Sequence, residues 1–404
     1  MSNCPLTRRT FLERNLAATA AAGLAGAAAG AAAPQGAIIP TKLEPGQKLR
    51  VGILGCGNRS RQHIAAVNHY AEQMEITALC DILPEMLEEK RQLVTSGQPA
   101  LYRDYQEMLK DKELHAVLIV LPNTLHREGA VAALDAGKHV LCEKPLTMDV
   151  ADTRQIIAAA DRNRRVVQVG TQSRHSPGYQ ALAQKLRGGL IGDVLYGWSQ
   201  TFRADWRKLH PDPATDSRIN WRMKQAEGGS VVYEMGIHLI DVFNWFIGSD
   251  VAEVTCLGGT HNKRLQKRDS WDHAGLVVRY TNGALMTYGG NLYSSGGPGP
   301  NILFGDGGTL ELGGREADRA VLRKSPYWRP YDTAESPDRG SEVITLPKSS
   351  IDPSTLQYAH FLEAVQGNKP AFPSARDHLA AVQIARGSQM SADEHRHVKA
   401  DEIP

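Results

Sequence analysis

Two short stretches of this 404-residue chain carry the side chains best suited to chemistry, Glu143-Lys144-Pro145 and Glu234-Met235-Gly236-Ile237-His238-Leu239-Ile240-Asp241. Glu234, His238 and Asp241 are spaced i, i+4, i+7, which on a helix puts an acid, an imidazole and a second acid on one face. Leu239, Val242, Phe243 and Phe246 supply the apolar side. An acid and an imidazole one turn apart aim together into a cleft and can pass a proton. His238 is the candidate general base, with a pKa expected near working pH. Asp241 is expected to orient its neighbours and meet a bound molecule. Lys144 follows an apolar run, at a strand end where ligands collect in open parallel sheets.

The elements that must position these groups begin with Arg50–Asp81. Val51–Leu54 is a short, branched, apolar run that reads as a buried strand. The chain then turns through Gly55-Cys56-Gly57-Asn58-Arg59-Ser60 into a helix, and a second strand, Ile76–Cys80, ends in Asp81. Strand, glycine turn, helix, strand and acid form the βαβ unit of a dinucleotide site. Gly55 and Gly57 let the backbone turn and approach a pyrophosphate, which sits at the helix N-terminus beside Asn58 and Arg59. Asp81 lies where an acid holds a ribose hydroxyl and favours NAD, because a carboxylate repels a 2′-phosphate. Arg59 and Arg61 keep NADP open. Ser60 stands where the third glycine is usual.

Ala116–Leu121, ending at Pro122-Asn123, and Val140–Cys142, ending at Glu143, read as further strands. With the helix Val150–Asn163 and the strand Val166–Gly170 they predict a doubly wound parallel sheet over residues 49–171, an α/β Rossmann arrangement. Residues 172–404 have another texture. Val194–Phe202, Val251–Gly258, Ala274–Tyr280, Ala284–Asn291 and Asn301–Leu312 alternate or carry branched and aromatic residues, and Asn282-Gly283 is a hairpin signal. They predict an α+β domain with an open, mostly antiparallel sheet. The last helices, Thr355–Val365 and Ala375–Ser391, are expected to pack back across the domain boundary.

The chain opens with Thr7-Arg8-Arg9-Thr10-Phe11-Leu12 and an uncharged Ala/Gly/Leu run from Leu16 to Ala33. Residues 1–33 read as a twin-arginine signal peptide, followed by a linker at 34–48. The run is too rich in Ala and Gly for a convincing membrane span. The chain has 46 basic and 44 acidic residues, and the leader holds three arginines and one glutamate, so the remainder balances at zero. That balance gives no reason to expect nucleic acid or an anionic membrane as a partner. Cys56, Cys80, Cys142 and Cys256 show neither zinc-site nor disulfide spacing and read as small packed thiols. No metal site is expected. The leader places the protein in the periplasm or beyond, exported folded.

GILGCGNRSRQH, LPNTLHREGAVAALDAGKHVLCEKPLTM, VGTQSR and GGSVVYEMGIHLIDVFNWFIG together resemble the Gfo/Idh/MocA family, which includes glucose–fructose oxidoreductase and inositol dehydrogenases. The resemblance implies a bound NAD(P), hydride transfer at a carbinol of a sugar or cyclitol, and an open sheet used to form dimers or tetramers. It implies that Lys144 touches both cofactor ribose and substrate hydroxyl, and that Pro122, Asn123 and Glu143 line the cofactor edge. Gln172 and Arg174, just past the last Rossmann strand, are placed to meet nicotinamide and substrate. Trp206, Trp221 and Arg222 offer stacking and hydroxyl contacts to a sugar ring. Glu234 stands where the family has Asp and reaches one methylene further, towards a different hydroxyl. Export away from free NAD(H) implies a tightly held cofactor reset within the site. Three readings follow: a sugar or cyclitol oxidoreductase, a redox-neutral NAD-dependent glycoside hydrolase, or a non-catalytic sugar-binding protein.

Overall fold

Leu49–Leu54 is apolar but for Arg50 at its start because it is covered on both faces. In the computed structural model it is β1, a central strand of a six-stranded sheet. The structure describes residues 37–204, 221–261, 268–294, 299, 301–313, 319–324 and 341–404. The signal-peptide reading and Trp206 lie outside them. The sheet adds β2 (Met74–Cys80), β3 (Ala100–Tyr102), β4 (Ala116–Ile119), β5 (His139–Glu143) and β6 (Val167–Gly170) in the order β3-β2-β1-β4-β5-β6. Every pairing is parallel. The order reverses direction between β1 and β4, which opens the ligand crevice at their carboxyl ends. The connections carry helices α1 (Ser60–His69), α2 (Pro84–Arg91), α3 (Tyr105–Leu109), α4 (His126–Asp135) and α5 (Val150–Asn163).

Helix α6 (Pro177–Arg187) leads into the second sheet, which has nine strands. They are β7 (Val194–Phe202), β8 (Val251–Gly259), β9 (His273–Tyr280), β10 (Leu285–Asn291), β11 (Asn301–Gly305), β12 (Gly308–Gly313), β13 (Arg319–Lys324), β14 (Ser341–Thr345) and β15 (Val398–Lys399). Its order is β14-β13-β12-β11-β7-β10-β9-β8-β15, antiparallel except for the β7–β10 pair. Asn282-Gly283 closes the β9–β10 hairpin, with Gly283 at φ +89. Asn301–Leu312, read as one segment, is instead a hairpin of β11 and β12 turning at Asp306-Gly307. That Asp-Gly pair was a turn signal in plain sight.

One face of the second sheet takes helix α7 (Ile237–Ile247); a Cβ at Gly197 would lie 2.7 Å from the Phe243 ring, so glycine there lets strand and helix meet. The other face leaves Trp198, Leu257 and Val277 exposed. The last two helices do pack back. Tyr358, Phe361 and Leu362 of α8 (Pro353–Val365) share a core with β1 and β2. In α9 (Ala375–Glu394), Val382 joins the core of the first domain and Ile384 that of the second sheet. Ala37–Pro404 is therefore one compact unit, because α8 and α9 bind both sheets together.

Candidate active site

The glycine turn forms one wall. Gly55 has φ +99, and a Cβ there would sit 2.5 Å from the Val120 carbonyl oxygen, so no larger residue fits against the end of β4. A Cβ at Gly57, in contrast, would meet nothing within 4 Å. Open space therefore lies before the loop, where a phosphate approaches. Ser60 is fully buried and donates its hydroxyl to the Gly57 carbonyl at 2.6 Å, so the missing third glycine is absorbed by a loop hydrogen bond. Asp81 accepts the Cys56 N–H at 2.7 Å and the Leu83 N–H at 2.9 Å, which fixes the carboxylate at the strand end. Asn58 is exposed at the loop tip.

Facing the loop is the end of β5. Arg59 donates from Nε to Glu143 Oε1 at 2.7 Å, and Lys144 donates its backbone N–H to Glu143 Oε2 at 3.2 Å. Burial, the largest influence, pushes the Glu143 pKa up, but Arg59, His63 and Lys144 together hold it well below the carboxylate range. Glu143, expected to touch the cofactor, has its oxygens engaged by the protein and acts on the site through Lys144. Asn123, expected as another direct contact, is buried and donates from Nδ2 to the Gly228 carbonyl at 3.1 Å. It ties the half-buried Pro122 edge to the Gly228-Gly229 turn.

Lys144 donates from Nζ to the Glu234 carbonyl at 2.8 Å, joining the two stretches that began the sequence reading. Burial lowers its ammonium pKa, with Arg222 and Arg59 adding to the effect and the Glu234 and Glu143 carboxylates opposing it. His238 is half-buried, and its Nδ1 has no hydrogen-bond partner among the described residues. Its pKa is lowered to about 3, first by burial and then by Lys144. The expectation of a pKa near working pH is thus corrected. The imidazole is neutral, with a nitrogen free to accept.

The regular i, i+4, i+7 face is corrected too. Val232–Gly236 is a π-helical turn leading into α7, so Glu234 is offset from the ladder that carries His238 and Asp241. Glu234 places Oε1 3.2 Å from Arg222 Nε, and the Arg222 guanidinium carbon lies 4.3 Å from the Trp221 ring centroid. Trp221 is 8% exposed under that guanidinium, so it holds Arg222 where sugar stacking was expected. Glu234 and Arg222, with Ser230, Arg268 and Ser270, line a narrow cleft.

Asp241 and Arg174 do not reach the cleft. Asp241 Oδ2 accepts from Arg174 Nε at 2.7 Å, Oδ1 accepts from Nη2 at 3.0 Å, and His378 Nδ1 lies 3.2 Å from Oδ1. All three side chains are buried. Burial raises the Asp241 pKa, but Arg174 and His378 outweigh it and hold it at about 2. Both residues were expected to bind substrate, and both are corrected to a closed structural ion pair, because their charges satisfy each other. Gln172 differs. Its Oε1 is buried with no partner among the described residues, at the start of the turn after β6. That orphan acceptor and the open space at Gly57 fit a dinucleotide laid along the crevice, its amide end towards Gln172.

Sequence reasoning missed Ser230, one turn before Glu234, as well as Arg268 and Ser270, which only the fold brings there, and a buried pair behind Glu143. His63 Nε2 lies 3.0 Å from Glu143 Oε1, and His63 Nδ1 lies 2.5 Å from the Tyr358 hydroxyl. His63 follows Arg59 by one helical turn, a spacing that could have flagged it. Tyr358 is 295 residues further on and had no local signal. Cys56, Cys80, Cys142 and Cys256 are free and buried, as packed thiols should be. Among the described residues no three His, Cys, Asp or Glu side chains gather into a metal-binding group.

Residues 49–171 match the oxidoreductase family with an NAD-binding Rossmann fold, and residues 179–311 match that family's own C-terminal domain. The chain belongs to the Gfo/Idh/MocA oxidoreductase family. Its first domain is an NAD-binding domain. Inositol 2-dehydrogenase of Salmonella paratyphi B is 30% identical over 210 residues, 51% of this chain and 56% of that protein. The alignment thus spans little more than half the length of that relative. Myo-inositol 2-dehydrogenase of Thermotoga maritima is 25% identical over 88% of this chain and 99% of its own. The solved structure of levoglucosan dehydrogenase with NADH and levoglucosan superposes with a TM-score of 0.73, covering 88% of this chain and 100% of that one at 21% identity. At that identity the likeness establishes the fold of both domains in this family.

Proposed function

We propose that the protein moves a hydride between a carbinol of a sugar or cyclitol and a tightly held nicotinamide cofactor, NAD in preference to NADP. The observation that carries this reading is the meeting of Lys144 with the helix of Glu234 and His238, 2.8 Å from Nζ to the Glu234 carbonyl, beside the glycine crevice. The inositol dehydrogenases among its relatives, which act on a cyclitol by name, support the substrate class. The fixed Asp81 carboxylate supports NAD.

NAD, when bound, supplies the hydride acceptor. His238, whose ring is neutral, takes the hydroxyl proton. Its low basicity is offset by Lys144, whose charge stabilises the developing alkoxide and lowers the pKa of the hydroxyl giving up the proton. Glu234, steadied by Arg222 at 3.2 Å, accepts from a neighbouring hydroxyl and orients the ring. Arg8-Arg9 and the alanine run support export, and the apolar outer face with Trp198, Leu257 and Val277 supports a homo-oligomer built through the second sheet.

The test is to add NAD+ and a panel of cyclitols, aldoses and aryl glycosides to the purified protein. NADH absorbance that rises with a cyclitol or aldose, and is lost in Lys144→Ala, is the expected result. Release of an aglycone with no net NADH would replace this reading with the redox-neutral hydrolase.

A further inference from the structure

Behind the cofactor wall lies a chain of buried polar groups that the proposed chemistry does not itself use. Glu143 is ionised, so it can only accept, and the His63 nitrogen 3.0 Å from its Oε1 must therefore carry the hydrogen. Burial lowers the His63 pKa and keeps the ring neutral, which leaves Nδ1 as an acceptor. The Tyr358 hydroxyl at 2.5 Å must then be the donor. Only one arrangement satisfies all three groups: Tyr358 O–H to His63 Nδ1, and His63 Nε2–H to Glu143 Oε1. His63 and Tyr358 are 1% and 0% exposed, so no water competes for these bonds. The same carboxylate holds the Arg59 guanidinium at 2.7 Å and the Lys144 N–H at 3.2 Å.

We propose that His63 and Tyr358 are positioning residues, which set the placement of the Glu143 carboxylate and through it the cofactor-facing Lys144 and Arg59. Tyr358 enters from α8, near the far end of the chain, so the cofactor wall is completed only when that helix docks on α1. Without the hydroxyl, the buried His63 Nδ1 loses its donor at 2.5 Å and the ring loses the anchor that holds it against Glu143. The Nε2–H bond to the carboxylate is then held less firmly, and an unmet buried acceptor is left beside it. Phe in place of Tyr keeps the volume, so the fold is preserved while the imidazole loses its second anchor.

The inference rests on the nicotinamide reading above, and its test separates the two. NAD+ affinity is measured by tryptophan fluorescence, and kcat and KM on the best carbinol substrate, for wild type, Tyr358→Phe, His63→Gln, Glu143→Gln and the Tyr358→Phe/Glu143→Gln double variant. The expected result is a kcat about tenfold lower in Tyr358→Phe, with substrate KM within about twofold and NAD+ affinity weakened severalfold. His63→Gln, whose amide can still donate to Glu143, should recover part of that loss. The double variant should be no worse than Glu143→Gln alone, since the hydroxyl acts through the carboxylate. A Tyr358→Phe protein that loses thermal stability but keeps wild-type kcat and NAD+ affinity would reduce the pair to packing and overturn the inference, leaving the function intact. Additive losses in the double variant would overturn it equally. A wild type that binds no NAD+ would instead remove the reading beneath it.

Discussion

Two clusters of arginine, carboxylate and histidine sit on or against one helix, seven residues apart, and they are placed differently. Around Asp241, Arg174 closes two bonds at 2.7 and 3.0 Å and His378 adds a third contact at 3.2 Å. Around Glu234, Arg222 Nε lies 3.2 Å from Oε1 at a narrow cleft, Lys144 binds the backbone carbonyl, and one nitrogen of His238 has no partner among the described residues. Residue types do not tell the clusters apart. Position does: Asp241, Arg174 and His378 close on one another inside the core, whereas Glu234 and Arg222 line a cleft at the surface.

The sharpest way to break this contrast is to truncate one acid–base partner in each cluster. His238→Ala should lower kcat by about 10²–10⁴-fold, the range for a lost acid–base group, with unfolding free energy within about 1 kcal/mol of wild type. Asp241→Ala should do the reverse. It strands Arg174 in the core and should cost about 3–5 kcal/mol in urea unfolding, because a buried charge is left uncompensated. A variant of Asp241 that folded as well as wild type but bound substrate poorly would return that residue to the active site.

pH sharpens the comparison with smaller effects. His238 has a pKa of about 3 in the folded chain, against about 6.5 unfolded. It therefore stays neutral as pH falls through 6, and its protonation should not produce an acid limb in kcat/KM above about pH 4. The alkaline limb belongs to Lys144, whose lowered pKa should bring the loss of activity below the ordinary lysine value of about 10.4 as pH rises. Stability responds differently. His238 and the buried His139 are both held at about 3, so the unfolded chain binds more protons than the folded one between there and about pH 6.5. Their contribution is present above that window and lost as pH falls through it. Asp241, at about 2, adds to the loss at lower pH. Urea midpoints measured from pH 7 down to pH 4 should therefore fall.

The smallest expected effect contrasts the two loop glycines. Gly57→Ala should leave stability within about 1 kcal/mol, since its Cβ meets no protein atom, yet weaken NAD+ binding by intruding on the phosphate space. Gly55→Ala should destabilise the fold itself, given its φ of +99 and the Val120 carbonyl 2.5 Å away. Equal NAD+ affinity in Gly57→Ala and wild type, measured by titration, would move the phosphate away from this loop.

Local periodicity made most of the scaffold legible. β7 and α5 fall on the residues expected, and Asn282-Gly283 turns its hairpin, because those signals act over a few residues. The two stretches singled out do approach one another, Lys144 reaching the Glu234 carbonyl. What the sequence hid was who satisfies whom. Nothing local distinguishes Asp241 from Glu234, since Arg174 and Arg222 are brought in by tertiary packing. The π turn at Val232–Gly236 breaks an otherwise regular face without a proline or other marker. The partner of His63 waits on a helix near the end of the chain.

The most direct test is a crystal structure of the protein with NADH and the carbinol substrate that turns over fastest. The nicotinamide should lie between Gln172 and the Lys144–His238 side, its carboxamide donating to the buried Gln172 Oε1 and the reacting hydroxyl within hydrogen-bond reach of both Lys144 Nζ and His238 Nδ1. A nicotinamide bound elsewhere, with Gln172 Oε1 still without a partner and His238 facing no hydroxyl, would contradict the assignment.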